Sequence, residues 1–172
     1  TSGTVTAIIS GSKTQLASLT TDSNDPLTIT VSSITMNVDE VTSLVGKTSG
    51  TTIDLSAAGV TDNLSNMINT GAATAKANLT TTLTADPNLQ VTVNAITNAT
   101  AANITDFNKL VELVQAGSGT VVGAISGAAA ILDGLSTANT DNITLTVTDA
   151  NDTAINATVL SSIGGKSSGT VT

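Results

Sequence analysis

Two clusters of oxygen-bearing side chains are the clearest candidates for chemistry. Asp22-Ser23-Asn24-Asp25 and Asp149-Ala150-Asn151-Asp152 each gather carboxylate and amide oxygens within four residues. Hard cations such as Ca2+ take about six to eight oxygen ligands, often from a short acidic loop. Asp22, Asp25, Asp149 and Asp152 are therefore the candidate metal ligands, and Ca2+ the candidate cofactor. Asp86-Pro87-Asn88 adds a third acidic turn. None of the three has the Asp-x-Asp-x-Asp-Gly frame of an EF-hand or the Gly-Gly-x-Gly-x-Asp nonapeptide. The competing reading is that Asp and Asn here make turns and caps, since their side chains bond readily to nearby backbone.

Other familiar chemistry fails on spacing or on residue type. Gly164-Gly165-Lys166-Ser167-Ser168-Gly169 resembles a phosphate loop, but Leu160 stands where that loop needs its first Gly. This phrase and Val45-Gly46-Lys47-Thr48 both follow a helical pattern and precede a strand, the reverse of phosphate-loop order. They read as turns, with each Lys solvated or acting as a charge at a helix C-terminus. Asp39-Glu40 are adjacent, so on a helix they do not face each other. Serine is plentiful, yet the chain has no His to activate it and no Gly-x-Ser-x-Gly elbow. No Cys is present, which removes disulfides, thiolate metal sites and Cys nucleophiles. No catalytic residue and no organic cofactor is expected. Asn63, Asn78, Asn98, Asn103, Asn142, Asn151 and Asn156 begin Asn-x-Ser/Thr sequons, which permit N-glycosylation in a suitable secretory pathway.

Charge narrows the partners. Five Lys against 13 acidic residues give the 172-residue chain a net charge of −8. Nucleic-acid binding needs clustered Lys and Arg, and anionic lipid needs the same. No apolar run reaches the ~18 residues of a membrane span. Nucleic acid and membrane insertion are therefore not expected. No signal peptide is visible, and Thr1 opens directly on a repeat-like phrase, so a preceding segment is expected.

The elements that must position these residues come in repeats. Ser2-Gly3-Thr4-Val5 returns as Ser49-Gly50-Thr51, Ser118-Gly119-Thr120-Val121 and Ser168-Gly169-Thr170-Val171. Around this phrase the order of apolar residues in 1–47 recurs in 118–166. The whole of 1–172 reads as one repeat array. It divides into a repeat at 1–47, an irregular middle repeat at 48–117 with an insertion near 71–87, a repeat at 118–166, and the start of another at 167–172. Each repeat holds two coils that begin with an alternating run, such as Leu27, Ile29 and Val31, or Ile143, Leu145 and Val147. Period two with β-branched residues reads as a half-buried strand. Helical spacing follows in Val38, Val41, Leu44 and Val45, in Ile104 to Val114, and in Ile155, Val159, Leu160 and Ile163.

Local signals fix the ends. Ser12 with Gln15, and Asn37 with Glu40, have capping-box spacing. Thr105 or Asn103 would cap the helix around Phe107. Gly46, Gly71, Gly117 and Gly164 suit the left-handed position after a helix. In the middle repeat a strand is expected at Thr52–Leu55, a helix near Asp62–Asn69 and another through Ala72–Leu79.

Coils this short, with Phe107 the only aromatic residue, favour a thin layered core of Ala, Val, Ile and Leu. The expected fold is α/β: a repetitive right-handed solenoid of short parallel strands and short helices. A β-solenoid, with the helices recast as bends, is the alternative, and a chain of Greek-key sandwich modules is a third possibility.

One stretch carries a family resemblance. Ile143–Thr172 contains a Thr-rich strand, Asp149, Ala154–Val159, Leu160-Ser-Ser-Ile-Gly-Gly-Lys and Ser-Ser-Gly-Thr-Val. It resembles the Thr/Gly-rich repeats of giant secreted cell-surface proteins of marine cyanobacteria and related bacteria. Those repeats typically run Ala-x-x-Leu-x-x-Leu-Asp-Gly-x-Thr-Thr-Gly-Thr-Val. Gly164 stands where the family has Asp, which weakens any metal role at that position. The resemblance covers both outer repeats and is diffuse through 71–117. It implies an extracellular or cell-surface structural role, in a surface, filament or matrix protein. Self-association head-to-tail, or packing on neighbouring repeats of a longer chain, is then the expected partnership. The alternative is an adhesin-type module holding carbohydrate or a surface, with Ca2+. The lack of aromatics argues against strong sugar stacking.

Overall fold

A computed structural model describes residues 4–21, 23–32, 35–50, 52–137, 140–150 and 154–172. The alternating runs form strands, and the segments with helical spacing form helices. Strand β1 (Ala7–Gly11) leads to helix α1 (Lys13–Ala17), and β2 (Leu27–Val31) leads to α2 (Val38–Val45). Two short strands follow, β3 (Ile53–Asp54) and β4 (Val60–Asp62), then α3 (Leu64–Met67). A small hairpin of β5 (Ile68–Asn69) and β6 (Thr74–Ala75) precedes α4 (Ala77–Ala85). The chain continues with β7 (Gln90–Ile96), α5 (Ala101–Gln115), β8 (Thr120–Gly127), α6 (Ala129–Leu132), β9 (Asn142–Val147) and α7 (Ala157–Gly164).

The fold is mixed α/β with parallel sheets. One sheet has the order β1-β2-β3, and the other has the order β4-β7-β8-β9. All pairs in both are parallel. A parallel bridge between Met36 and Val60 links the segment after β2 to β4, and so joins the two sheets. Val171 adds a further parallel bridge to Leu145 on β9. Parallel strand order excludes Greek-key sandwiches, which are antiparallel. The helices are formed, so the β-solenoid alternative does not hold.

Alternation explains the core. In β2 the residues Leu27, Ile29 and Val31 are buried, while Thr28 is exposed. Rows of small apolar side chains stack from strand to strand: Val60, Val91 and Val121 lie in register, as do Ile125 and Leu145. Phe107 is fully buried. A Cβ placed on Gly123 would lie 4.0 Å from its ring, so the one large side chain fills space that β8 leaves open.

Several local expectations hold and others need correction. Ser12–Gln15 and Asn37–Glu40 form full capping boxes. The helix around Phe107 is capped by Thr100, with Asn103 as its third helical residue, so neither Thr105 nor Asn103 is the cap. The strand at Thr52–Leu55 is confined to Ile53–Asp54. The helix near Asp62–Asn69 is one turn, because Ile68 becomes extended and pairs with Ala75. The expected helix at Ala72–Leu79 starts five residues later, at Ala77. Gly71 (φ +72°) and Ala73 (φ +49°) both adopt left-handed backbone, which no right-handed helix accommodates. The buried Asp106 carboxylate holds this turn, accepting from Gly71 N at 2.8 Å and Ala73 N at 3.1 Å. Gly46 is right-handed (φ −66°) as a helix cap, and Ser118 rather than Gly117 takes the positive φ. Leu160 is 42% exposed, so α7 buries only Ile163.

Candidate functional site

The Gly-Lys-Thr/Ser-Ser-Gly phrase builds the same clasp twice. Thr48 and Ser167 are buried hydroxyls that follow α2 and α7. Thr48 Oγ1 accepts from Leu27 N (2.7 Å) and Gly50 N (2.8 Å). Its single proton faces Asp25 O (2.8 Å) and Leu27 O (3.1 Å). Ser167 Oγ repeats this with Ile143 N (2.8 Å), Gly169 N (2.8 Å), Asp141 O (3.1 Å) and Ile143 O (2.6 Å). One hydroxyl thus ties the start of a strand to the segment that enters the next coil.

The lysines complete the clasp. Lys47 Nζ donates to Leu19 O at 2.7 Å, and Lys166 Nζ donates to Leu135 O at 2.8 Å. Both carbonyls lie just past the end of the preceding helix, where a cation is favoured. Each Lys is half-buried. Each Lys thus serves a carbonyl beyond the neighbouring helix, α1 or α6, and not the C-terminus of the helix it follows, which corrects the reading as a solvated charge or a charge at that helix end. Thr21 Oγ1 donates to Lys47 O at 2.7 Å, and Thr137 Oγ1 donates to Lys166 O. With ammonium and hydroxyl bonded to backbone carbonyls, neither phrase is arranged to cradle a phosphate.

The repeated glycine sits where no side chain fits. A Cβ on Gly50 would lie 2.1 Å from Leu27 O, and one on Gly169 would lie 2.4 Å from Ile143 O. On Gly119 it would lie 2.4 Å from Leu89 O. Glycine is required at these positions for close backbone approach, not for a left-handed turn.

The acidic turns bind backbone between coils. Asp25 Oδ1 accepts from Val5 N at 2.8 Å, and Asp141 Oδ1 accepts from Val121 N at 2.9 Å. Asp141 Oδ2 also accepts from Gln115 Nε2 at 2.7 Å. Asp86 Oδ2 accepts from Leu55 N at 3.0 Å. At the other ends of strands, Asp62 Oδ2 accepts from Val38 N (3.2 Å) and Asp149 Oδ2 from Ala129 N (2.6 Å). Those two amides are the first helical N–H groups of α2 and α6, and a carboxylate there satisfies an orphan donor.

Of the four candidate metal ligands, Asp25 and Asp149 each spend a carboxylate oxygen on a backbone amide, and Asp22 and Asp152 lie outside the described residues. Among the described residues no group of three or more His, Cys, Asp or Glu is placed to hold a metal ion. The sequence reading missed Asp62, Asp86, Asp106 and Asp141 as inter-coil contacts. A signal was present: Asp25 and Asp141 each stand two residues before the first core residue of a strand, Leu27 or Ile143.

Among the described residues two charged pairs lie near the surface. Lys13 Nζ meets Glu40 Oε1 at 2.5 Å, and Lys109 meets Glu112 at 2.7 Å. Desolvation works to raise the Glu40 carboxyl, but the Lys13 ammonium and the Asn37 N–H together hold it below its ordinary value. Asp54 is also held low, by the Ser56 hydroxyl and N–H.

Two surface grooves are notable. One of about 370 Å³ runs between α2 and α4, lined by Val45, Ile53, Thr81 and Thr84. The other, of about 530 Å³, lies along α5 beside Asn108, Lys109 and Glu112. The groove along α5 also presents the hydroxyls of Thr105 and Ser136. No described helix is long and apolar enough to cross a membrane. No protein family, curated protein or solved structure matches the chain.

Proposed function

We propose that the chain is a non-catalytic structural segment of a secreted, repetitive surface, filament or matrix protein, its coils stacked as a right-handed α/β solenoid. The observation that carries this is the twice-built clasp: the same Lys, hydroxyl and Gly join successive coils through the same backbone groups in both outer repeats. Chain-order pairing of the parallel strands supports the stacking. The polar groups with candidate chemistry that the structure describes, Lys47, Thr48, Lys166, Ser167, Asp25 and Asp149, are bonded to backbone. The resemblance of Ile143–Thr172 to giant surface-protein repeats agrees with an extracellular place.

The alternative, an adhesin-type module for carbohydrate or a surface, draws on the uncovered outer face of the sheet. Parallel sheets usually have both faces covered. Here Thr28, Asn94, Ala124 and Thr144 point outward and are exposed. A glycan array probed with and without millimolar Ca2+, together with Ca2+ calorimetry, separates the two. The structural reading expects silence on the array and no heat from Ca2+. Sugar-dependent binding would overturn it in favour of the adhesin.

A further inference from the structure

Both prolines of the chain follow an aspartate, in Asp25-Pro26 and Asp86-Pro87. Both bonds lie where the chain enters a strand, β2 or β7. An aspartate can close a five-membered ring on its own main chain, its carboxylate oxygen attacking its own carbonyl carbon. Proline suits that attack as the leaving group, because its nitrogen departs as a basic secondary amine and holds no N–H in a ladder. An Asp-Pro bond is therefore the peptide bond most open to hydrolysis, and the surrounding fold sets how open.

The two bonds sit in different surroundings. Asp25 O accepts from Ser49 N at 2.9 Å, faces the Thr48 hydroxyl at 2.8 Å and shares the Leu27 N–H at 3.0 Å. Three donors thus surround the oxygen that becomes an oxyanion when the carbonyl carbon is attacked. The carboxylate is gripped at one oxygen. Oδ1 accepts from Val5 N at 2.8 Å, and among the described residues no donor reaches Oδ2. At Asp86 the pattern is reversed. Oδ2 accepts from Leu55 N at 3.0 Å and Oδ1 from Asn88 N at 3.1 Å, and no donor among the described residues reaches the main-chain oxygen. Asp141 supplies a third comparison. Its main-chain oxygen accepts from Ser168 N at 3.1 Å and faces the hydroxyls of Ser167 and Ser168, each at 3.1 Å, yet Asn142 follows it. Of the three, Asp25 alone combines a labile bond with a surrounded carbonyl.

We infer that Asp25-Pro26 is a self-scission site, at which the clasp around Thr48 helps the chain to cut itself. Oδ2 of the ionised carboxylate attacks the Asp25 carbonyl carbon. The oxyanion forms among Ser49 N, Leu27 N and the Thr48 hydroxyl. The C–N bond to Pro26 then breaks, and the proline nitrogen takes a proton from the aqueous acid. A water molecule opens the cyclic anhydride that results, which leaves two carboxyl groups on Asp25 and a free amine on Pro26. The net reaction consumes one water and needs no oxidant or reductant. Pro26 is half-buried, so water reaches this edge. Scission parts the connection between α1 and β2, while β1 stays paired with β2 along its whole length. A covalent junction between coils thereby becomes a non-covalent one. This site goes beyond the structural reading and does not rest on it.

The test is incubation of the full chain at the most acidic pH at which circular dichroism still reads the native fold, followed by denaturing mass spectrometry. Fragments ending at Asp25 and beginning at Pro26 should accumulate roughly tenfold or more faster than those parted at Asp86-Pro87, a part of what an oxyanion donor commonly contributes. In urea, where the donors are dispersed, the two rates should converge. Asp141-Asn142 should stay uncut in both. Asp25→Asn should abolish the first cut. Thr48→Val should slow it several-fold and leave the cut at Asp86 unchanged, and Thr48→Ser should retain it. In water enriched in heavy oxygen, label in the Asp25 side-chain carboxyl marks the anhydride. Should Thr48→Val fail to fold, the comparison of folded chain with urea still decides. Equal rates at the two Asp-Pro bonds in the folded chain, faster cutting at Asp25 in urea, or label confined to the new main-chain carboxyl would each overturn the proposal. None of these bears on sugar or Ca2+ binding, by which the structural reading is tested.

Discussion

The outer repeats and the middle of the chain hold their coils together by different means. In the outer repeats a hydroxyl and an ammonium tie neighbouring coils at Thr48 and Lys47, and again at Ser167 and Lys166. In the middle, Gly117 stands where a clasp hydroxyl would be, and a Cβ there would lie 2.2 Å from Pro87 O. The middle relies instead on a longer helix, on Phe107, and on Asp106 pinning the hairpin turn. The lesson is that a small-residue core can be closed either by polar contacts to backbone at its rim or by one large apolar side chain at its centre.

The sharpest way to break this comparison is to remove the ring. Phe107→Ala should destabilise the chain by about 3–5 kcal/mol, the range for deleting a buried aromatic. Urea denaturation followed by circular dichroism reads it as a lower midpoint. A loss smaller than that of the clasp variants would mean that the middle does not depend on its ring. The clasp comes next. Thr48→Val and Ser167→Ala should each cost about 1–3 kcal/mol, because the amides of Leu27 and Gly50, or of Ile143 and Gly169, lose their acceptor. Thr48→Ser, which copies the second clasp, should retain most of the stability. Equal losses for Val and Ser at position 48 would show that the hydroxyl is not what joins the coils.

The smallest effect is on pH. Glu40 and Asp54 are held below their ordinary values in the folded chain. Each contributes stability that is present above its unfolded pKa and is lost as pH falls through its lower folded pKa. Melting temperature should thus decline from the ordinary carboxylate range downward, and Glu40→Gln should blunt part of that decline. Both groups are near solvent, so the contribution is small. A profile unchanged by Glu40→Gln would remove the Lys13–Glu40 pair from the account.

Much of this organisation was legible in the residues themselves. The strand at Leu27–Val31 follows from period-two alternation, and α2 from Asn37, Glu40 and the spacing of its apolar residues. These are local signals, and local signals can be read from one chain. The hairpin at Ile68–Ala75 was not legible, because its left-handed turn depends on Asp106, more than thirty residues away. The glycines of the Ser-Gly-Thr phrase were visible as a repeat, but their reason is a carbonyl on the preceding coil. The acidic turns show the same limit. Asp25 and Asp149 looked like cation ligands because composition cannot say that an amide from another coil faces each of them.

The clasps and the Asp contacts have one property in common: a side chain grips backbone. Thr48, Ser167, Lys47, Lys166, Asp25 and Asp141 all bind N–H or C=O groups that every residue but proline carries in full. Such a joint places few demands on the identity of the residues it holds. A unit built this way can be copied, lengthened or interrupted, as the middle is by its hairpin, without rewriting its neighbours. Substitutions on the gripped side should therefore cost little, whereas the gripping residues and the glycine that lets the backbones meet are constrained.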